Sequence, residues 1–368
     1  MSDKINFVDL KKQYQPLKEE ILAGFSEVLD SMYLFLGKNV QAFEKEFSDF
    51  CEVKHGIGVS DGTSALHVIL RALDIGNGDE VITPVNTFIA TAEAIAMVGA
   101  KPVLVDIDPK TYLMDLNQVE AMITPKTKAI MPVHLYGQLV DMKALRDIAD
   151  AHGIRIIEDA CQAHGAAFEG KQAASFGDAA AYSFYFSKNL GAYGEGGFVT
   201  TNDDEIARRV RMIRDHGSEH KYNHDLIGMN SRLDELQAVV LRAKLKHLAD
   251  WNEARRSHAA IYSELFDQNL VTTPIEAEGA DHIYHLYVIR APERDDLQSY
   301  LKENGIYTGI HYPIPIHQQK AFSYLGYKTG DFPETEKAVT EILSLPMFAE
   351  LSDENIARVV DTVHEFFE

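Results

Sequence analysis

The chain has 368 residues, room for two domains or for one large domain with an appendage. With 46% hydrophobic and 25% charged residues it has the composition of a globular protein able to bury a large core. A formal net charge of −21 lacks the basic footprint a nucleic-acid partner calls for, yet leaves room for a small anionic ligand held by a few local cations. Two cysteines, Cys51 and Cys161, make a disulfide framework unlikely and point to a reducing cytoplasm. The charged opening "MSDKINFVDLKKQYQPLKEE" has no secretory apolar segment, and no apolar run has the length of a membrane span.

In chain order, residues 55–60 ("HGIGVS") read as a strand and 64–75 as a helix. Strand 80–85 and helix 90–100 follow, then apolar strands over 101–108, 127–135 and 154–160. The helix 141–153 between the last two ends on a glycine. Residues 179–186 and 196–202 read as further strands. Strands alternating with helices predict an α/β domain whose mostly parallel sheet is covered on both faces. After about residue 235 the pattern changes. A long amphipathic helical region (233–266), strand 282–292, helix 294–305, strand 306–312 and helix 354–367 predict a smaller α+β domain. The division is drawn as 1–245 and 246–368, with the N-terminal segment expected to lie on the smaller part.

Ligands of such sheets bind beyond the carboxyl ends of the strands, and chemistry-bearing residues stand there. Asp61-Gly62-Thr63 turns a strand into a helix N-terminus, which offers free N–H groups and a positive dipole end to a phosphate. The plain alternative is a helix capped by Thr63 or Ser64. Asp159, in "IIEDACQAHG", is a carboxylate at an apolar strand end, costly unless paired. It is suited to a metal, a histidine, a cationic heterocycle, or local backbone N–H groups. Lys188, in "SFYFSKNLGAYGEGG", sits among aromatic residues. Such a setting lowers an amine's pKa and makes it a nucleophile, whereas a surface lysine would snorkel outward. A phosphate seat, an aromatic at Phe88, an acid and a lysine together fit one ligand, pyridoxal 5'-phosphate. The lysine forms the Schiff base, the acid keeps the pyridine nitrogen protonated, Phe88 stacks on the ring, and Ser183 adds a hydroxyl to the phosphate.

Several motifs stand in order along the chain: "DGTSAL", "TPVNTFIATAEAI", "PVHLYGQLVDM", "IIEDACQAHGA", "SFYFSKNLGAYGEGG" and "MNSRLDELQA". With them the chain resembles the DegT-like nucleotide-sugar aminotransferases of fold type I, from "FVDLKKQY" to the C-terminal helix. The resemblance implies a pyridoxal-phosphate enzyme with Lys188 as the covalent lysine and Asp159 at the ring nitrogen. Gln162 falls near the ring hydroxyl, and Gly62, Thr63 and Ser183 at the phosphate. Asn230 would reach the phosphate in a neighbouring subunit, making the active unit a homodimer with shared sites. A lysine, where some relatives have histidine, favours amino transfer over dehydration. Tyr185, three residues before Lys188, is the residue type of enzymes acting on sugar C-3, whereas C-4 enzymes often carry histidine there. Phe186-Ser187 departs from the Pro-Gly of that pattern. "HGSEHKY" and "GIHYPIPIHQQ" also resemble the C-3 group, bringing Lys221, His311 and Tyr312 near the sugar or its pyrophosphate. The expectation is amino transfer from L-glutamate to a dTDP- or UDP-linked keto-sugar at C-3, for surface polysaccharides or glycosylated metabolites. The alternatives are C-4 transfer, a non-catalytic relative acting through a partner, or a nicotinamide-dependent dehydrogenase.

Two other signals are set aside. His216, His220 and His224 recur every four residues, but Gly217 and Asn223 argue for a polar loop over a metal-binding helix. "GAYGEGG" lacks the spacing and the helix start of a dinucleotide loop.

Overall fold

The computed structural model describes residues 4–220 and 222–368. Its centre is a seven-stranded sheet formed by β1 (His55–Val59), β2 (Glu80–Pro84), β3 (Lys101–Val105), β4 (Thr127–Ile130), β5 (Arg155–Asp159), β6 (Ala179–Ser183) and β7 (Gly197–Thr201). The spatial order is β1-β7-β6-β5-β4-β2-β3. Only β7 runs against its neighbours; the other pairings are parallel. Side chains alternate across a strand, so adjacent residues enter different cores. Ile82, Ile130, Ile156 and Phe198 join one apolar cluster, and Val81, Ala129, Ile157 and Val199 join the other. Both faces are buried, as a mostly parallel sheet requires.

The first cluster is closed by α1 (Lys38–Phe50) through Phe43 and Phe47. The second is closed by α2 (Gly62–Ala72), α3 (Ile89–Met97) and, further along the chain, Ile206 and Val210. Helix α4 (Met142–His152) begins on Asp141, whose carboxylate accepts from the amides of Lys143 and Ala144, and it stops before Gly153. Helix α5 (Asp204–Arg214) follows β7.

Five expectations are corrected here. Strand 127–135 ends at Ile130, because the chain turns through a 3₁₀ element at Leu135–Gly137 to bring Tyr136 under the site. Strand 179–186 ends at Ser183, where the chain leaves the sheet into the Lys188 loop. The helical region 233–266 is two helices, α6 (Glu235–Leu245) and α7 (Leu248–Leu265), broken at Lys246-His247. Residues 306–312 form no strand. They make single bridges, Ile306 with Ile5 and Gly309 with Ser344, because the backbone there serves two partners in turn. The polar segment around His216–His224 carries a short hairpin, Ser218–His220 with Asn223–His224.

The C-terminal part pairs β8 (Tyr287–Arg290) with β9 (Ile342–Leu345). It packs them on α7, α8 (Arg294–Glu303) and α10 (Asp353–Phe367), with α9 (Pro333–Glu341) at the junction. Asp106, just beyond β3, caps α9 by accepting from the amides of Glu334 and Thr335 at 2.9 Å each. Ile5 belongs to the C-terminal cluster, and Phe7 stacks on His311 at 5.6 Å. Among the described residues no helix is long and apolar enough to cross a membrane.

Candidate active site

The carboxyl ends of β1, β5 and β6 open into one cavity of about 580 Å³. Its wall holds Asp61, Gly62, Thr63, Phe88, Asp159, Gln162, Ser183, Tyr185, Lys188, His311 and Tyr312, with Thr91, Cys161, Glu195 and His285 among them. Every predicted site residue therefore meets there except two. Asn230 is exposed and stands outside this wall, on the chain's own surface beside Asp215. Lys221 lies outside the described residues.

At the start of α2 the cap is Asp61, not Thr63 or Ser64. Its carboxylate accepts from the Ser64 amide at 2.8 Å. Among the described residues no acceptor is found for the amides of Gly62 and Thr63, so the helix presents two free N–H groups to the cavity. Gly62 is required for this closeness. A Cβ there would stand 2.7 Å from the Ser183 Cβ and 3.0 Å from the Cys161 sulfur.

Asp159 is buried, and its two oxygens are held apart by different donors. Thr91 Oγ1 donates to Oδ2 at 2.8 Å, itself paired with Thr87 Oγ1 at 2.8 Å, and the Cys161 amide donates to Oδ1 at 3.2 Å. Beside it Glu158 is fully buried in another role: it accepts from the amides of Ala174, Phe176 and Gly177 and pairs with His134 at 2.9 Å. Gln162 Oε1 accepts from the Tyr136 amide at 2.6 Å, and Nε2 donates to the Tyr312 hydroxyl at 3.2 Å. The ring of Phe88 is half exposed, with its centre 5.5 Å from that of Tyr312.

Lys188 stands in the loop after β6, its amide donating to the Tyr185 carbonyl at 2.8 Å. No protein partner is found for its amine among the described residues. Burial pushes the amine below its ordinary pKa, while the Cys161 thiol and the Asp159 carboxylate push it back up. His311 bonds Ser344 Oγ at 2.8 Å and accepts from Tyr136 through its carbonyl; burial, then the Lys188 charge, lowers it to about 4, so the ring is neutral.

The sequence reading missed Thr91, Glu195 and His285, and it gave Asp61 and Cys161 no part in the site. Thr91 carried a signal, a hydroxyl one turn into an apolar helix after Thr87. His285, in "HIYHLYVIR", carried none.

Free N–H groups at a helix start, a half-buried lysine whose amine has no protein partner among the described residues, and an oriented carboxylate in one cavity suit pyridoxal phosphate, and the comparisons agree. Residues 15–364 match the DegT/DnrJ/EryC1/StrS aminotransferase family, so the chain belongs to that family, a family of pyridoxal-phosphate aminotransferases. A protein of Geobacillus stearothermophilus named a pleiotropic regulatory protein is 52% identical over 99% of this chain and 98% of its own length. The UDP-N-acetyl-3-dehydro-alpha-D-glucosamine 3-aminotransferase of Acidithiobacillus ferrooxidans is 47% identical over 98% and 97%. Among solved structures, DesV of S. venezuelae in complex with a ketimine intermediate superposes with a TM-score of 0.97 at 44% identity, covering 100% of this chain and 99% of that one.

Proposed function

We propose that the protein moves an amino group from L-glutamate to C-3 of a nucleotide-linked keto-sugar in two half-reactions. One observation carries the assignment of roles: Lys188, Asp159 and the free amides of Gly62 and Thr63 converge on one cavity. The names of the relatives that aminate C-3 of UDP and dTDP sugars support the substrate class.

Pyridoxal phosphate, when bound, supplies the carbonyl carbon that takes up the amino group and the ring that spreads the resulting charge. The residues do the rest. Gly62, Thr63 and Ser183 would hold its phosphate. Asp159 would keep the ring nitrogen protonated, held by Thr91 and the Cys161 amide so that it need not reorganise. Phe88, on the cavity wall, would stack on the ring. Gln162 would lie by the ring hydroxyl. Lys188, its amine lowered by burial, would take the proton from the donor's α-carbon onto Nζ and hold it for return on the far side of the transferred nitrogen. Tyr185, His311 and Tyr312 line the same cavity and are assigned, with Lys221, to the sugar or its pyrophosphate.

The reading includes a homodimer with shared sites. Among the described residues the wall of one chain carries three carboxylates, Asp61, Asp159 and Glu195, against the single amine of Lys188, a poor match for an anionic substrate unless further cations, such as those of a second chain, complete it. Asn230 is exposed and free to reach across, and Met32, Tyr33, Leu34 and Phe35 form an exposed apolar run suited to covering. The reading also keeps two units, 1–245 and 246–368, supported by the helix break at Lys246-His247, and a cytoplasmic enzyme of amino-sugar synthesis for polysaccharides or glycosylated metabolites.

The test is an absorbance spectrum of the purified protein before and after L-glutamate, followed by keto-sugars with C-3 ketones first. A yellow band bleached by glutamate and restored by a C-3 keto-sugar supports the proposal. The regulatory name of one relative favours a second reading, a protein that binds the cofactor without turnover. A yellow protein inert to every donor and keto-sugar selects that reading.

A further inference from the structure

Behind the wall that carries Lys188, a chain of buried hydrogen bonds crosses between the two parts of the molecule. His285 Nδ1 lies 3.1 Å from Asn189 Oδ1. Asn189 Nδ2 donates to Asn252 Oδ1 at 2.8 Å and to the Ile283 carbonyl at 3.4 Å. Asn252 Nδ2 donates to the His164 carbonyl at 2.8 Å, and His164 Nε2 donates to the Ser183 carbonyl at 2.9 Å. His285, Asn189, Asn252 and His164 are all buried. Gly165, at φ +90°, makes room for the chain: a Cβ there would stand 2.9 Å from Asn252 Nδ2.

The direction of every bond is fixed from one end. A backbone carbonyl only accepts, so the His164 carbonyl demands the NH₂ of Asn252. Asn252 then offers its oxygen to the NH₂ of Asn189, which the Ile283 carbonyl demands as well. Asn189 is left with its oxygen towards His285, whose Nδ1 must therefore carry the proton. Two carbonyls of the backbone, and no free choice of amide rotamer, set the tautomer. Burial, then the charge of Lys188, holds His285 well below its ordinary pKa, so the ring has this one N–H. His285 lines the cavity that Lys188 lines, and Asn189 is the next residue in the chain after Lys188.

We propose that His285 is a positioning residue: its Nδ1–H, acting through the Asn189 side chain, fixes the backbone on which Lys188 stands. The chain's far end, at the Ser183 carbonyl, ties the same framework to the start of the Lys188 loop. The inference rests on the reading of Lys188 as the reactive lysine. The amine must meet the cofactor's carbonyl in a narrow range of geometry, and a displacement of about 1 Å costs about a hundredfold in rate.

The test uses the full-length protein freed of cofactor. Its readout is the rate of covalent attachment of pyridoxal phosphate, followed by the yellow band and by borohydride reduction with peptide mass spectrometry. His285→Asn puts an amide nitrogen where Nδ1 stood and keeps the bond to Asn189, whereas His285→Gln puts it where Nε2 stood, and His285→Phe has none. His285→Asn is expected to attach the cofactor within about threefold of the unaltered rate, and His285→Gln and His285→Phe about tenfold more slowly or worse, with their urea midpoints close to that of His285→Asn. Equal rates for all three overturn the proposal, and so does a His285→Asn protein as slow as His285→Phe. Should His285→Phe fail to fold, the Asn–Gln comparison decides alone. A Lys188→Ala protein that still attached the cofactor would refute the reading of Lys188, separately from that of His285.

Discussion

The two walls of the cavity reach their places by different means. Gly62, Asp159 and Ser183 each stand at or within three residues of the end of a strand of the large sheet, whose hydrogen-bonded register fixes them together. His285, His311 and Tyr312 stand on connecting segments of the C-terminal part and are held by side chains: Asn189 and Ser344 for the histidines, Gln162 and Phe88 for the tyrosine. The first wall is a property of the backbone. The second is a property of contacts between chain segments far apart in sequence, and single substitutions disturb it more selectively.

Substitutions on the first wall have the largest expected effects. Lys188→Ala removes the only amine of the wall among the described residues and is expected to lower single-turnover transfer by about 10³-fold or more with the fold intact by circular dichroism. Asp159→Asn keeps the shape and loses the charge. A pair at about 4 Å contributes on the order of 4 kcal/mol at an effective dielectric of 20, so kcat at saturating cofactor is expected to fall by about 10²- to 10³-fold. An Asp159→Asn enzyme of normal kcat would break the assignment of this wall.

Glu158→Gln sharpens the comparison by leaving the cavity untouched. The buried carboxylate accepts from three backbone amides and meets His134, and a neutral amide cannot accept from all of them. The expected result is a loss of about 3 kcal/mol in urea unfolding.

Lys244 links α6 to the loop that follows Lys188. It is fully buried, its amine donates to the Gly191 carbonyl at 2.6 Å and lies over the Tyr193 ring, and burial lowers it to about 7. The unfolded chain holds that proton up to about pH 10.4, so the folded state binds fewer protons between pH 7 and that value and its stability rises with pH there. The stability of the unaltered protein relative to Lys244→Met is expected to climb from pH 7 to 9.5 by up to about 1.4 kcal/mol per pH unit. A flat difference would contradict the lowered amine.

Tyr312→Phe, on the second wall, is the mildest. It removes the acceptor for Gln162 Nε2, worth about 1 kcal/mol, so KM for the keto-sugar is expected to rise about fivefold with cofactor attachment unchanged. Slowed attachment would mean that the two walls are not separate.

The sequence by itself determined the sheet, the order of its helices and the residues of the first wall. Each strand is a local apolar run, and the reactive residues follow it directly, so periodicity and adjacency suffice. It named His311 and Tyr312 only through the family resemblance, and it placed a strand over them where the chain makes two single bridges. Tertiary structure alone decided that Thr91 holds Asp159 and that His285 meets Asn189, the neighbour of Lys188. Those contacts join residues 68 and 96 positions apart. No local pattern encodes such a meeting, because the first depends on how a helix packs across the strand ends and the second on how the C-terminal part packs against the sheet. Asn230 is exposed and outside the cavity wall, and the role proposed for it depends on a contact that no single chain contains.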